Sequence, residues 1–144
     1  MKSFILTILI LLFSKTYATY ELTDDYSPDK FASMFDFITY DDPSHGYVNY
    51  VDQNTAKRLG LFKQVSNKIY MSADHKNIAS GRGRNSIRIN SKKKYTHGLF
   101  ILDMDHMPDN ECGSWPAFWT VGSNCPQNGE IDIIEGMDLL IIFT

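Results

Sequence analysis

The sequence predicts an all-β fold, and three observations carry that expectation. From residue 46 to residue 136 a series of short apolar segments runs along the chain, and each is closed by Gly, Pro, Asn or Asp. This is the punctuation of an all-β sandwich or barrel. The segments are rich in Ile, Val, Tyr and Phe, which pack well on a pleated surface. No repeat or low-complexity linker divides the 144 residues, so one domain is expected, and 43% apolar with 13% aromatic residues is enough for a packed core.

Residues 1–18 read as a leader: Met1 and Lys2 give a short basic start, Phe4 to Phe13 form an apolar block, and small Ala18 closes a cleavage site. A spanning helix needs about 17 to 25 apolar residues, and the polar run "SKTYATYELTDD" follows at once. Secretion to the exterior or the cell wall is therefore expected, with no membrane association once the leader is removed. Export would place Cys112 and Cys125 in an oxidising compartment, where they could form one bridge or stay unpaired. The net charge of −3 offers little to attract nucleic acid or anionic lipid. "SKKKY" at residues 91–95 is read as a solvated turn or strand end.

The stretch "DKFASMFDFITYDD" is read as irregular, with an aromatic cluster. Strands are expected in "HGYVNYVD", in "NKIYMSAD" near Ile69, in "NSIRINSKK" around Ile87, in "HGLFILDMDHM" from Gly98, in "PAFWTVG" from Pro116 and in "GEIDIIEG". "NTAKRLGL" is the segment read as capable of a helical turn.

The last strand sets Glu130, Asp132 and Glu135 among isoleucines, and an ionised carboxylate buried without a partner costs several kcal/mol. On a helix, positions five apart differ by about 140°, which would separate Glu130 from Glu135. The isoleucines and flanking glycines favour a strand. There Glu130 and Asp132 share a face, while Glu135 has the wrong parity. One extra residue, a β-bulge near Ile133 or Ile134, brings Glu135 back to that face.

With the bulge, the two glutamate Cα atoms lie about 13 Å apart at roughly 3.3 Å per residue, and each side chain reaches about 4 Å toward the other. The gap left, on the order of 5 Å, suits the nucleophile and acid/base of a retaining glycosidase. Crowded negative charges disfavour a further ionisation, so one glutamate can hold a proton while the other attacks and Asp132 orients the nucleophile. A hard-cation site could also use three carboxylates, and a solvated strand face would explain Glu130 and Asp132 without Glu135. Upstream lie Trp115, Phe118 and Trp119. Sugar rings pack their C–H faces on aromatic rings, and parity puts Trp115 and Trp119 on one face. One of the two is assigned to substrate, with Trp119 preferred.

"WPAFW" followed by "GEIDIIEG" resembles glycoside hydrolase family 16, and "DPSHGYVNYVD", "ASGRGRNSIRINSKK" and "GLFILDMDHMP" are similar, in order, to its fungal endo-1,3(4)-β-glucanase (laminarinase-like) branch. The resemblance covers about residues 20–137. It implies a β-jelly-roll sandwich, concanavalin A-like, of two curved antiparallel sheets with a glucan cleft on the concave side. It further implies retaining, endo-acting hydrolysis of β-1,3 or mixed β-1,3/1,4 linkages in β-glucan. A monomer without cofactor or metal is expected. Onto matching positions the resemblance places the nucleophile at Glu130, the supporting aspartate at Asp132, the acid/base at Glu135 and a basic position at Arg88, for which a place facing the cleft and a buried pairing with a carboxylate are both open readings.

Two departures follow from the resemblance. Where the branch carries "NWPNGGE", this chain has "NCPQNGE", so Cys125 takes the place of a tryptophan. A cysteine near Cys112 normally has a partner further downstream, which leaves Cys112–Cys125 as the weaker pairing. The resemblance fades after Gly136, so residues 19–137 are expected to be a partial catalytic domain, the N-terminal half of the sandwich, and residues 138–144 a divergent tail. The chain is thus expected to be an incomplete form of low stability and little activity. A non-catalytic β-glucan-binding protein and a secreted calcium-binding fragment are the competing expectations.

Overall fold

A computed structural model describes residues 20–108, 113–137 and 140–142. Among them the chain runs through a helix at Pro28–Met34 (α1), strands at Phe35–Phe37 (β1) and Val48–Tyr50 (β2), and a helix at Gln53–Arg58 (α2). Strands follow at Phe62–Val65 (β3), Lys68–Met71 (β4), Arg84–Ser86 (β5), Ile89–Ser91 (β6), Ala117–Val121 (β7), Glu130–Met137 (β8) and Leu140–Ile142 (β9). Strand pairing dominates, and no helix among the described residues is long and apolar enough to cross a membrane.

The strands pair as β1 with β6, β2 with β5, β3 with β4, and β7, β8 and β9 side by side. All are antiparallel except β2 and β5, which run parallel in the register Val48↔Arg84 to Tyr50↔Ser86. That parallel contact is tight at Gly83, where a Cβ would lie 2.2 Å from the Tyr47 carbonyl carbon, so only glycine fits. The β5–β6 segment changes partner between its halves. The Ser86 carbonyl accepts from the Val51 N–H (3.1 Å), and two residues later the Arg88 carbonyl accepts from the Ile38 N–H (2.9 Å). Arg88 therefore stands where the chain crosses from β2 to β1.

The core is small. Val51, Ala56, Leu61 and Phe62 are buried, with Phe31, Ala32, Phe37, Leu59, Ile69 and Ile87 packed against them. The Phe37 and Phe62 rings meet edge to face at 5.2 Å, a favoured aromatic geometry. Helix α2 is fixed at its start by Asp52, whose Oδ1 accepts the N–H groups of Asn54 (2.9 Å) and Thr55 (3.1 Å). These are two of the donors a helix N-terminus leaves unpaired.

Several segments differ from the sequence expectation. Residues 28–34, read as irregular, form α1, with Pro28 in the first turn where its missing N–H costs nothing. Strand β3 was not anticipated. It pairs with β4 across a two-residue turn whose Ser66 has φ +53°. The single strand expected around Ile87 is two strands. Residues 98–108 form no strand, because nothing among the described residues pairs with them, and Leu99 and Ile101 stay 60% and 83% exposed. Residues 140–142, expected in a tail, pair with β8 from Glu135↔Ile142 to Met137↔Leu140. The leader and Cys112 lie outside the described residues.

Candidate active site

The hairpin of β7 and β8 builds the site. Its loop closes with the Gly122 N–H donating to the Gly129 carbonyl (2.9 Å) and the Gly129 N–H donating to the Pro126 carbonyl (3.1 Å). Gly129 has φ +78°, a conformation that a side chain would strain. From there the ladder pairs Val121↔Glu130, Thr120↔Ile131 and Trp119↔Asp132, then slips by one residue to pair Phe118↔Ile134 and Ala117↔Glu135. Ile133 is the extra residue, at the bulge the residue count demanded.

Residues opposite one another in an antiparallel ladder share a face. Ala117, Trp119 and Val121 lie on one face of β7, so Glu130, Asp132 and Glu135 are gathered on the Trp119 side. Phe118 and Ile134 take the other side.

Each glutamate has a distinct neighbour. The Trp115 indole N–H donates to Glu135 Oε1 at 2.7 Å, and Trp115 is itself 61% exposed. The Cys125 thiol donates to Glu130 Oε2 at 3.5 Å, a normal length for sulfur. Loss of hydration beside its neighbours, then the hydrogen bond to Glu130 and that carboxylate's charge, push the thiol above its ordinary value, while Arg88 pulls the other way. Cys125 is an exposed free thiol, and Cys112, its partner in the weaker of the pairings considered, lies outside the described residues.

Arg88 sits on the same face. Its guanidinium lies over the Trp119 ring at 5.0 Å and over the Tyr40 and Tyr50 rings at 5.9 Å each. Nη1 is 3.8 Å from Asp42 Oδ1, and Nε is buried with no hydrogen-bond partner among the described residues. Burial works against the charge of Asp42. The Ser44 hydroxyl, the Gly46 and Ser44 N–H groups and Arg88 outweigh it and hold the carboxyl below its ordinary value. Burial, followed by the charge of Asp42, raises the Tyr50 hydroxyl.

The structure therefore brings Glu130, Asp132, Glu135, Trp119, Trp115 and Arg88 to one surface. Sequence reasoning missed Tyr40, Asp42 and Tyr50 around Arg88 and the thiol beside Glu130. The Asp42-x-Ser44 turn pattern was a signal that this aspartate was locally anchored. Among the described residues no three His, Cys, Asp or Glu side chains are grouped so as to hold a metal ion.

A bulged acidic strand facing tryptophans in an all-β domain is a glycosidase-like arrangement, and comparison with known proteins agrees. The family model described as "XgeA-like, catalytic GH16 domain" matches residues 35–140. The chain belongs to glycoside hydrolase family 16. It is 50% identical over 121 residues to the endo-1,3(4)-beta-glucanase of Arthroderma benhamiae, covering 84% of this chain and 26% of that protein. It is 47% identical over 121 residues to a probable glycosidase of Schizosaccharomyces pombe, covering 84% of this chain and 28% of the other.

Among solved structures it matches laminarinase 16A of Phanerochaete chrysosporium with β-glucans in donor and acceptor sites. That match has a TM-score of 0.81 and 43% identity, covering 88% of this chain and 43% of that one. An elongating GH family 16 β-1,3-glucosyltransferase matches with a TM-score of 0.81 and 42% identity, covering 87% and 44%. The fold is thus the β-jelly-roll of these enzymes. The chain spans about a quarter of the length of the curated relatives and less than half of the solved domains.

Proposed function

We propose that this chain carries the catalytic strand of a secreted, retaining endo-hydrolase of β-glucan acting on β-1,3 or mixed β-1,3/1,4 linkages. One observation carries it: the bulge at Ile133 puts Glu130, Asp132 and Glu135 on a single face opposite Ala117, Trp119 and Val121. Similarity to a laminarinase and to endo-1,3(4)-beta-glucanases supports the substrate class. The composition of residues 1–18 supports secretion.

Glu135 delivers its proton to the glycosidic oxygen while the Glu130 carboxylate attacks the anomeric carbon. The C–O bond breaks, the aglycone leaves with the proton, and a glycosyl ester remains on Glu130. Glu135, now a carboxylate, takes a proton from water. The water oxygen bonds to the anomeric carbon, and the Glu130 ester is released with net retention. Asp132 lies between the two glutamates in the ladder and orients the nucleophile, while the Trp115 N–H fixes one oxygen of Glu135.

Reducing-sugar release from laminarin by the purified chain tests this. Turnover is expected to fall by about 10² to 10⁴-fold in Glu135→Gln, and Glu130→Gln should abolish it. Turnover that survives Glu130→Gln would contradict the assignment. Retention on insoluble glucan without products would favour a binding protein instead.

A further inference from the structure

Arg88 is the least ordinary side chain of the acidic face. It is only 18% exposed by its side chain, yet it does not form a close carboxylate pair, since 3.8 Å to Asp42 is beyond hydrogen-bond length. Its guanidinium is instead enclosed by rings, nearest to Trp119 and then to Tyr40 and Tyr50. A planar, weakly hydrated guanidinium suits such a seat better than an ammonium, because it stacks flat on an aromatic face.

The seat is anchored from both ends. The Arg88 carbonyl accepts from the Ile38 N–H at 2.9 Å where the chain crosses between strands. Asp42 is tied to the Ser44 hydroxyl and, at 2.9 Å, to the Gly46 N–H.

We propose that Arg88, paired with Asp42, is the positioning residue of Trp119: its guanidinium covers one face of the indole and leaves the opposite face as the sugar platform. Trp119 pairs with Asp132 in the ladder, between the partners of Glu130 and Glu135. A pyranose stacked on the open face is thereby indexed to both glutamates. The sugar contact rests on the glucan reading of the site, whereas the fixing of the indole does not.

The chain has two tryptophans, so Trp115→Phe leaves Trp119 as the only reporter and serves as the reference. Without sugar, Arg88→Met is expected to lower the fluorescence anisotropy of Trp119, with far-ultraviolet circular dichroism unchanged. Titrated with laminaritriose, it should bind roughly three- to tenfold more weakly, the factor expected when a loosened side chain must be immobilised on binding. Arg88→Lys keeps a cation over the ring and loses the plate, so it should fall between the two. If Arg88→Met loses its fold, Arg88→Lys carries the comparison.

Anisotropy and affinity equal to the reference in every folded Arg88 variant would overturn the proposal. A loosened Trp119 in chains that all ignore laminaritriose would support the positioning role and count against the glucan reading.

Discussion

Trp115→Phe isolates one hydrogen bond of the proposed acid step. The indole N–H donates to Glu135 Oε1 at 2.7 Å, so in the proposed step the other carboxyl oxygen is the one that carries the proton. A hydrogen bond to a charged group contributes about 1.5 to 3 kcal/mol. Trp115 is 61% exposed, so water can replace much of it. We take about 1 kcal/mol, or roughly a fivefold loss of rate. The assay compares laminarin with dinitrophenyl β-laminaribioside, whose leaving group departs without a proton. The variant should lose about fivefold in kcat/KM, which reports the glycosylation step, on laminarin and almost nothing in kcat/KM on the activated substrate. An equal loss on both would mean that Trp115 binds sugar rather than orients the acid. No loss on either would refute a role for this hydrogen bond.

Other expectations concern the thiol beside Glu130, the bulge, the core helix and acid stability. Because lost hydration and Glu130 raise the Cys125 thiol, Glu130→Gln should speed its alkylation by iodoacetamide at mildly alkaline pH. An unchanged rate would deny the contact. Deleting Ile133, which has no partner in the ladder, should leave a regular strand with Glu130, Asp132 and Glu135 still on one face. The Trp115–Glu135 contact should survive, as read from Trp115 emission in a Trp119→Phe background. Asp52→Ala removes the acceptor of three hydrogen bonds at the start of α2 and should lower the thermal midpoint by a few degrees.

Asp42 is held below its ordinary 3.8 when folded. Its contribution is fully present above that pH and fades as the pH falls through the depressed folded value. Asp42→Asn should therefore lower the thermal midpoint at neutral pH, and the difference from the unmutated chain should shrink as the pH is taken down through and below the depressed folded value.

The acidic strand β8 was the most legible part of the sequence. Parity alone put Glu135 out of step with Glu130 and Asp132, and a period of two admits few ways to correct that. The Arg88 seat was not legible because its members, Tyr40, Asp42, Tyr50 and Trp119, come from separate segments. Residues 98–107 looked like a strand by composition, but a strand exists only when a ladder partner is present, and β propensity measures fit to such a surface. Helix α1 was hidden by the aromatic cluster it opens, Phe31 with Phe35 and Phe37. Phe31 belongs to the partly buried shell of the core, while Pro28 and Asp29 supplied an N-terminal signal that the aromatic content outweighed.

A fluorinated laminaribioside that forms a glycosyl ester but hydrolyses slowly probes the attacking carboxylate itself. After incubation and proteolysis, mass spectrometry should find one fluoroglycosyl group on Glu130, absent from Glu130→Gln. A label on Glu135, or on any residue off the Trp119 face, would contradict the account.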